Sequence, residues 1–254
     1  MLIDKLKKTI RKFGLLKQND RVIVGISGGP DSVALILSLR GIAKEFNLTL
    51  HACHLDHMLR KDSAGDAAFV RKLCEKLSVP VTIEQIPAGA LSQKGCVEEL
   101  ARSWRLKFFF KIAKEIKAGK IALGHNFDDQ AETVLMRLLR GSGLSGLSGI
   151  LPKRTIDKFT IIRPLLEIRR SEIEKFLRRK KIIPRIDKSN FEDIYLRNRL
   201  RHYLLPLLEK KFNRNIKETL CNTGRLAADD YDYLIKTAMT CCKKLGKKIS
   251  IKKF

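Results

Sequence analysis

Four short strand-like runs, the first of them rich in β-branched residues, alternate with four helical patterns between residues 21 and 140. The runs cover 21–26, 48–55, 79–86 and 120–125, and the helical patterns cover 31–46, 63–77, 97–117 and 128–140. Strands that alternate with helices are joined by right-handed crossovers and form a parallel sheet with both faces covered. The sequence therefore predicts an α/β, Rossmann-like parallel-sheet fold, with its sites beyond the carboxyl ends of the strands.

The remainder of the chain is predicted to be mostly helical. Residues 1–16 form an amphipathic first helix, and the Gly/Ser-rich stretch 141–150 is predicted to be a loop. An extended segment ends at Pro164, a helix capped by Ser171 runs to Ile182, and a polar loop follows. Two further helices, 196–211 and 215–244, form a C-terminal helical extension.

The chain is strongly basic. Lys and Arg number 52 against 27 Asp and Glu, which gives a net charge of +25, and residues 151–254 hold 28 of the basic and 12 of the acidic residues. Such an excess is typical of proteins that bind polyanions, because each neutralised phosphate releases condensed counterions. Charge alone leaves open that the lysines are simply solvated.

Neither a membrane segment nor a metal framework is indicated. No apolar run approaches the roughly 20 residues that cross a bilayer, and the N-terminus carries Asp4 and lacks a small-residue cleavage site. The six cysteines contain no CxxC pair, which favours free thiols over a zinc site or a disulfide framework. We therefore expect no membrane association and a cytoplasmic location.

The first predicted strand is followed at once by a Gly-rich turn that opens a helix. This SGGPDS segment consists of Ser27, Gly28, Gly29, Pro30, Asp31 and Ser32. Two glycines allow the backbone N–H groups to form a cradle, and the positive end of the helix dipole adds to it, so the segment predicts an anion site. The lysine of a GxxxxGK[ST] loop is absent. A tight turn capped by Asp31 is the structural alternative.

Two other segments follow predicted strands and carry polar side chains. HNFDDQAET begins at His125 and places Asp128 and Asp129 at a helix N-terminus, where they either cap the helix or hold Mg²⁺ or an ammonium. HACHLDHMLR, residues 51–60, has histidines but no nearby fourth zinc ligand, which favours a loop that contacts a nucleotide.

Arg102 and Arg105 lie three residues apart in a predicted helix. This spacing puts both side chains on one face of the helix. The residues alone leave open whether the pair is simply solvated.

Several of these segments resemble a known family. SGGPDS matches the SGGxDS loop of N-type ATP pyrophosphatases, the PP-loop family, which cleave ATP between the α- and β-phosphates. Over residues 21–208 the chain resembles the bacterial and plastid tRNA(Ile)-lysidine synthetases, most specifically in HNFDDQAETVLMRLLRGSGLSGLSGI and RNRLRHYLLP. HLDHMLR departs from the family's HVNHGLR at Asp56 and Met58, so the contacts of that loop stay open.

The resemblance implies a fold and an activity. Residues 1–150 would be a PP-loop ATP-pyrophosphatase core, 151–212 a family-specific extension that completes the catalytic domain, and 213–254 a C-terminal helix and basic tail. The enzyme would be a ligase that adenylates C2 of the wobble cytidine of tRNA(Ile) with anticodon CAU. Free L-lysine would then displace AMP to give lysidine. Many family members carry further C-terminal domains, so this chain is expected to be a minimal form or an incomplete one.

The resemblance also assigns roles to residues. Ser27 to Ser32 would bind ATP, Asp31 and Asp129 would handle Mg²⁺ and the lysine ammonium, and His125 would help to form the nucleotide site. Arg102 and Arg105 would stabilise phosphate or the adenylated base. The candidate RNA contacts are Arg60, Arg140, Arg197, Arg199 and Arg201. A homodimer is kept as an expectation for assembly.

Two other functions account for part of the sequence. A tRNA thiolase of the same fold usually needs a catalytic cysteine pair or a CxxC, and neither is present. A non-catalytic RNA-binding module would account for the charge but leaves SGGPDS and HNFDDQAET without a role.

Overall fold

The computed structural model describes residues 2–56, 63–87, 97–185 and 196–244. The chain divides into two compact units. Unit 1 is Met1–Phe127 with Pro152–Ser189, and unit 2 is Asp128–Leu151 with Asn190–Phe254. Unit 2 thus contains α5 and the Gly/Ser-rich stretch together with the C-terminal helices.

The described residues form six strands and ten α-helices. The strands are β1 Arg21–Gly25, β2 Thr49–Asp56, β3 Val81–Gln85, β4 Lys120–Ala122, β5 Lys153–Ile156 and β6 Phe159–Ile162. The helices are α1 Leu2–Phe13, α2 Pro30–Ile42, α3 Ser63–Leu77, α4 Val97–Glu115, α5 Phe127–Leu139, α6 Leu144–Leu147, α7 Arg170–Arg179, α8 Leu196–Arg199, α9 Leu205–Lys211 and α10 Ile216–Lys244.

Unit 1 is built on a six-stranded sheet with the order β3-β2-β1-β4-β6-β5. Neighbouring strands from β3 to β6 are parallel, which confirms the predicted fold class. Strand β5 is the exception, because it pairs antiparallel with β6 in a hairpin. An extended segment was predicted here but not the hairpin, whose turn contains Asp157 with a positive φ of 52°.

Both faces of this sheet are covered, as a parallel sheet requires. Alternate residues of a strand point to opposite faces, and in β1 Val22 and Val24 join one apolar cluster while Ile23 joins the other. The first cluster is formed mainly by α1 and α2, and the second contains Phe108 and Phe109 of α4. Strand β1 is therefore central, and its carboxyl end is held in place from both sides.

Unit 2 has an apolar cluster of its own. It contains Ala131, Val134 and Leu135 of α5, together with Leu205 of α9 and Leu220 of α10. None of the helices in the described part of the chain combines the length and the apolar character that a bilayer-spanning segment needs.

Three local differences from the sequence-based expectations concern helices. Helix α6 forms inside the stretch predicted as a loop. The predicted helix 196–211 contains a π-helical turn, Leu200–Leu204. Helix α7 begins at Arg170 rather than after a Ser171 cap, because the Glu172 carboxylate accepts the Arg169 N–H at 3.2 Å and makes Arg169 the residue that caps the helix.

Candidate active site

The SGGPDS segment forms a tight loop between β1 and α2. Gly28 has φ 85°, a left-handed conformation that glycine adopts without steric cost. Gly29 is the N-cap of α2 and Pro30 takes its first position, where a missing N–H costs nothing. Because of this loop, α2 begins directly after the central strand, and the positive end of its dipole lies at the carboxyl end of that strand.

The two serines of the loop have different surroundings. Ser32 is buried, and its Oγ accepts the Ser27 N–H at 3.1 Å and donates to the Gly29 carbonyl at 3.0 Å. Ser27 is exposed, and its Oγ lies 3.2 Å from Ser32 Oγ and accepts the Gly29 N–H at 3.4 Å. Ser32 thus fixes the loop from inside, whereas Ser27 presents a hydroxyl at its surface.

Asp31 lies in the first turn of α2 and is oriented from the segment after β4. The buried Asn126 donates from Nδ2 to Asp31 Oδ1 at 2.9 Å. Gly124 permits this approach, since a Cβ there would lie 3.1 Å from backbone atoms of Asp31 and Ser32. Chain order reverses between β1 and β4, because β2 lies on the other side of β1. Ligands of open α/β sheets bind at such a switch point.

The residues around Asp31 fit a magnesium ion that is bound together with phosphate. Within the described residues, no group of three His, Cys, Asp or Glu side chains could hold a metal on its own. Mg²⁺ is commonly held by one or two carboxylates plus the phosphates of a substrate. The SGGPDS loop, residues 27–32, is called the phosphate loop below. The single carboxylate of Asp31 within this loop matches that donor set.

Two arginines, Arg102 and Arg154, lie close enough to Arg163 to act on its charge. Arg163 follows β6 and is buried, and this burial, reinforced by the charges of Arg102 and Arg154, lowers its pKa to about 10. Arg102 and Arg105 are exposed on α4, and His125 is half-buried after β4. Arg163 and Asn126 were not among the predicted site residues, although both follow strands closely and lie where sites of such sheets are expected.

The segment after α7 lies against the phosphate loop. The Arg185 N–H donates to the Gly28 carbonyl at 3.0 Å, and Arg185 Nε donates to Asp66 Oδ1 of α3 at 2.8 Å. A Cβ at Gly28 would lie 3.6 Å from Arg185 Cγ, within ordinary contact distance. Arg185 thus braces the loop, a role that no local sequence pattern indicates.

Two histidines of the HACHLDHMLR segment, His51 and His54, lie in β2. His54 is buried with Nδ1 2.8 Å from the Ile26 carbonyl, and His51 Nε2 lies 2.8 Å from Thr82 Oγ1. Burial lowers the pKa of His51. The rest of the expected nucleotide loop, with His57 and Arg60, lies outside the described residues.

Unit 2 contains an ion-pair cluster, made of Asp129, Glu132, Arg197 and Arg201. Glu132 is only 2% exposed, and its two oxygens accept from Arg197 Nε at 2.8 Å and from Arg201 Nε at 2.6 Å. Asp129 Oδ1 lies 3.0 Å from a terminal nitrogen of Arg197 and 3.5 Å from one of Arg201. Burial alone would lower the pKa of Arg197, but the two carboxylates outweigh it and raise this pKa above its usual value.

The three arginines of the RNRLR segment that were predicted to bind RNA have different surroundings. Arg197 and Arg201 are engaged with carboxylates, whereas Arg199 is exposed. Arg140, at the end of α5, is also exposed. Glu132 was not predicted as a functional residue. A sequence signal for it exists, because Glu132 lies three residues after Asp129 and Arg201 lies four residues after Arg197. These spacings put the two members of each pair on one helix face.

The Gly/Ser-rich stretch is tied to α5 by side chains of the HNFDDQAET segment and its continuation. Arg137 donates to the carbonyls of Gly146 and Gly149 at 2.6 and 2.9 Å. Gln130 accepts the Ile150 N–H at 2.6 Å. A Cβ at Gly149, which has φ 66°, would lie 2.6 Å from Gln130 Oε1. Much of this long motif therefore serves to shape unit 2.

Comparisons with known proteins agree with this architecture. The chain is 42% identical over 241 residues to a tRNA(Ile)-lysidine synthase of Clostridioides difficile, covering 94% of this chain and 52% of the relative. It is 40% identical over 259 residues to that of Clostridium acetobutylicum, covering 99% of this chain and 56% of the relative. The chain thus spans about half the length of these curated relatives.

A solved structure shares the fold at a greater distance. A U34-tRNA thiolase from Methanococcus maripaludis superposes with a TM-score of 0.74 at 22% identity, over 89% of this chain and 79% of the thiolase. This likeness concerns the fold alone. A family model described as the PP-loop domain matches residues 2–208, which include the phosphate loop, the whole sheet and the ion-pair cluster. The chain therefore belongs to the PP-loop domain family, whose fold binds ATP.

Proposed function

We propose that this chain carries the catalytic part of a ligase that joins L-lysine to the wobble cytidine of tRNA(Ile) with anticodon CAU, at the expense of ATP. The observation that carries the proposal is the preformed phosphate loop with Asp31 beside it at the switch point of the sheet. The choice of substrate is supported by about 40% identity to tRNA(Ile)-lysidine synthases over most of this chain.

The first step would be adenylation of the base. The C2 oxygen of the cytidine attacks the α-phosphorus of ATP, the bond from that phosphorus to the bridging β-oxygen breaks, and pyrophosphate leaves. Backbone N–H groups at the start of α2 and the Ser27 hydroxyl would stabilise the negative charge that grows on the leaving pyrophosphate. Ser32 would keep this cradle in shape before ATP arrives, so that little reorganisation accompanies the reaction.

The second step would replace the activated oxygen. The lysine ε-amine attacks C2, the bond from C2 to the adenylated oxygen breaks, and AMP departs with that oxygen. The amine must first lose the proton of its ammonium form, because only the neutral nitrogen has a lone pair to donate. A carboxylate that holds the ammonium opposes this loss, so proton release has to precede attack.

Asp31 would hold Mg²⁺, which supplies positive charge to the phosphates when it is bound. Asn126 orients the carboxylate through a neutral donor, so this hydrogen bond leaves the charge of Asp31 in place for a cation. Asp129 would contribute to lysine binding, and Arg102, Arg105 and His125 to the adenylated base and nucleotide. Of the predicted RNA contacts, we propose that Arg60, Arg140 and Arg199 meet phosphate, whereas Arg197 and Arg201 stay with their carboxylate partners. The setting is cytoplasmic, and a homodimer is the proposed assembly.

Sulfur transfer is disfavoured by the thiols that the structure describes. Burial raises the pKa of Cys53 to about 12 and that of Cys74 to about 11, so both are neutral and poor nucleophiles at pH 7. The other free thiols in the described residues are Cys221, Cys241 and Cys242 on α10. The described thiols of unit 1 therefore do not form the nucleophilic cysteine pair that thiolation chemistry uses, and the sequence contains no CxxC.

The decisive experiment is nucleoside mass spectrometry. The protein is incubated with ATP, L-lysine and a tRNA(Ile) transcript that carries the CAU anticodon, and the digested RNA is analysed. We expect lysidine that depends on both ATP and lysine and is lost in Asp31→Ala. Thiocytidine in the presence of a sulfur donor would identify a thiolase instead, and tRNA binding without any modified nucleoside would identify a binding module.

A further inference from the structure

The turn between α9 and α10 presents an aromatic ring to solvent. Phe212 is 77% exposed, a large fraction for an apolar side chain. The turn itself is firmly held: the N–H groups of Phe212 and Asn213 both donate to the Leu208 carbonyl, at 3.0 and 2.9 Å. Asn213 also accepts the Asn215 N–H at 2.9 Å and donates to Thr219 Oγ1 at 3.1 Å. The ring is thus displayed by a fixed backbone.

Three cations surround this ring. Lys210, Lys211 and Arg214 are exposed and, with Phe212, line a shallow cleft of about 530 Å³ that has Glu209 as its one carboxylate. Across the described ranges, none of these three cations forms an ion pair. By contrast, two lysines on α10 are paired, Lys217 with Asp128 and Lys236 with Asp232. The cleft therefore keeps its positive charge.

Another exposed aromatic side chain of unit 2 lacks this excess of unpaired positive charge. Tyr233 of α10 is 70% exposed, but its neighbours in sequence include Asp229, Asp230 and Asp232. An exposed ring alone is therefore not what sets Phe212 apart. The distinguishing feature is a ring combined with positive charge, on a surface that we call the Phe212 surface and define as Lys210, Lys211, Phe212 and Arg214.

We propose that the Phe212 surface binds an unpaired nucleotide of RNA, whose base stacks on the Phe212 ring while the flanking phosphates contact Lys210, Lys211 and Arg214. Aromatic rings within a basic groove are the usual platform for single-stranded nucleic acid. A duplex would use the cations but not the ring, because its bases are already stacked on each other. The inference rests on the proposed function for the identity of the RNA, a tRNA.

Stacking is tested by substitutions at Phe212. Because the ring is exposed, these substitutions should leave the fold intact, and the melting temperature measured by circular dichroism checks this. We expect Phe212→Leu to weaken binding of the tRNA(Ile) transcript about tenfold, in line with the effect of removing one base–aromatic stack. Phe212→Trp should bind within about twofold of the original protein. Combined with Trp104→Phe, it places the only tryptophan of the chain at position 212, and the fluorescence of this indole should be quenched when RNA binds.

The cations are tested by the salt dependence of the same binding. Lys210→Gln with Lys211→Gln should flatten the slope of log K against log salt by about 1.4, since each single-strand phosphate contact contributes about 0.7. Tyr233→Leu is the matched control for an exposed aromatic side chain, and it should leave both affinity and slope unchanged.

Three results would overturn the proposal: unchanged affinity of Phe212→Leu, unquenched fluorescence of the indole at position 212 with RNA bound, or an equal loss of affinity in Tyr233→Leu. A fourth contradicting result comes from light scattering. If the mass of Phe212→Leu is half that of the original protein, a second copy of the chain covers the ring. Lysidine formation separates this inference from the proposed function. Lysidine with Phe212-independent binding refutes only the stacking surface, whereas Phe212-dependent binding without lysidine refutes only the ligase.

Discussion

The phosphate loop of unit 1 and the ion-pair cluster of unit 2 are both polar sites, but the chain builds them in opposite ways. The bonds that Ser27 and Ser32 make within the loop join residues no more than five positions apart, and only Asp31 is oriented by a distant side chain, that of Asn126. The bonds of the cluster join residues 65 to 72 positions apart. The serine bonds of the loop can therefore form once β1 and α2 meet, whereas the cluster requires the fold of unit 2.

The difference extends to charge. The loop offers backbone N–H groups and a hydroxyl and leaves a positive potential for an anion. The ion-pair cluster balances two carboxylates with two guanidinium groups, so most of its charge is already neutralised within the protein. Changes in the loop should thus appear in catalysis first, and changes in the cluster should appear in stability first.

The largest effect is expected when the cluster is broken at its most buried member. Glu132→Gln should lower the free energy of unfolding by about 3 kcal/mol, because it leaves two guanidinium groups facing a neutral side chain. The value is at the low end for buried pairs since Arg197 and Arg201 are 34% and 22% exposed. Urea denaturation measures it, with Glu174→Gln as the control, whose exposed pair with Arg170 should contribute under about 0.5 kcal/mol. A loss below about 1 kcal/mol for Glu132→Gln would contradict the assignment.

Next in size is the effect of breaking the loop. Ser27→Ala and Asp31→Ala should each reduce tRNA-dependent pyrophosphate release from ATP at least about a hundredfold, or about 2.7 kcal/mol of transition-state stabilisation. The unfolding free energy should hardly change. Ser38→Ala is a matched serine control in α2, since within the described residues the buried Ser38 Oγ has no hydrogen-bond partner. Near-normal pyrophosphate release by both loop variants would show that the loop does not bind ATP.

This contrast also explains what the sequence could predict. The four strand-like runs, the parallel sheet and the phosphate loop follow from patterns within about twenty residues, and the structure confirms the fold. Two elements were not predicted from the sequence, the π-helical turn at Leu200–Leu204 and the β5–β6 hairpin. A helical period does not reveal one inserted residue, and a short extended run does not reveal the strand with which it pairs.

Site residues divide along the same line. Ser27 and Asp31 were recognised from a contiguous motif. Asn126 and Glu132 lie inside a recognised motif, but their partners are 95 and 65 residues away, and no local pattern names those partners. The glycines of the stretch 141–150 predicted a loop, yet the tertiary bonds from Arg137 hold helix α6 in its middle.

The amine site tests whether a member of the cluster also has a catalytic role. Asp129→Asn should raise the lysine requirement at least about tenfold, about 1.4 kcal/mol, with a smaller effect on the ATP requirement. The asparagine oxygen can still accept from Arg197, so the fold should tolerate it. Steady-state lysidine formation with lysine and ATP varied separately measures both requirements. Asp128→Asn is the control, because that carboxylate pairs with Lys217 at 3.0 Å. If only the ATP requirement rises, Asp129 serves the metal or nucleotide instead.

The smallest effect concerns the arginines of the RNRLR segment. Arg199 is exposed, whereas the charge of Arg197 is neutralised by Glu132 and Asp129. Each phosphate contact contributes about 0.7 to 0.9 to the slope of log K against log salt. Arg199→Gln should therefore flatten the slope for tRNA binding by about that amount, and Arg197→Gln by clearly less while it lowers the unfolding free energy. Titrations at several salt concentrations resolve the two. Equal flattening by both variants would mean that Arg197 exchanges its carboxylate partners for phosphate when the RNA binds, and the cluster would then be part of the RNA site rather than a purely structural feature.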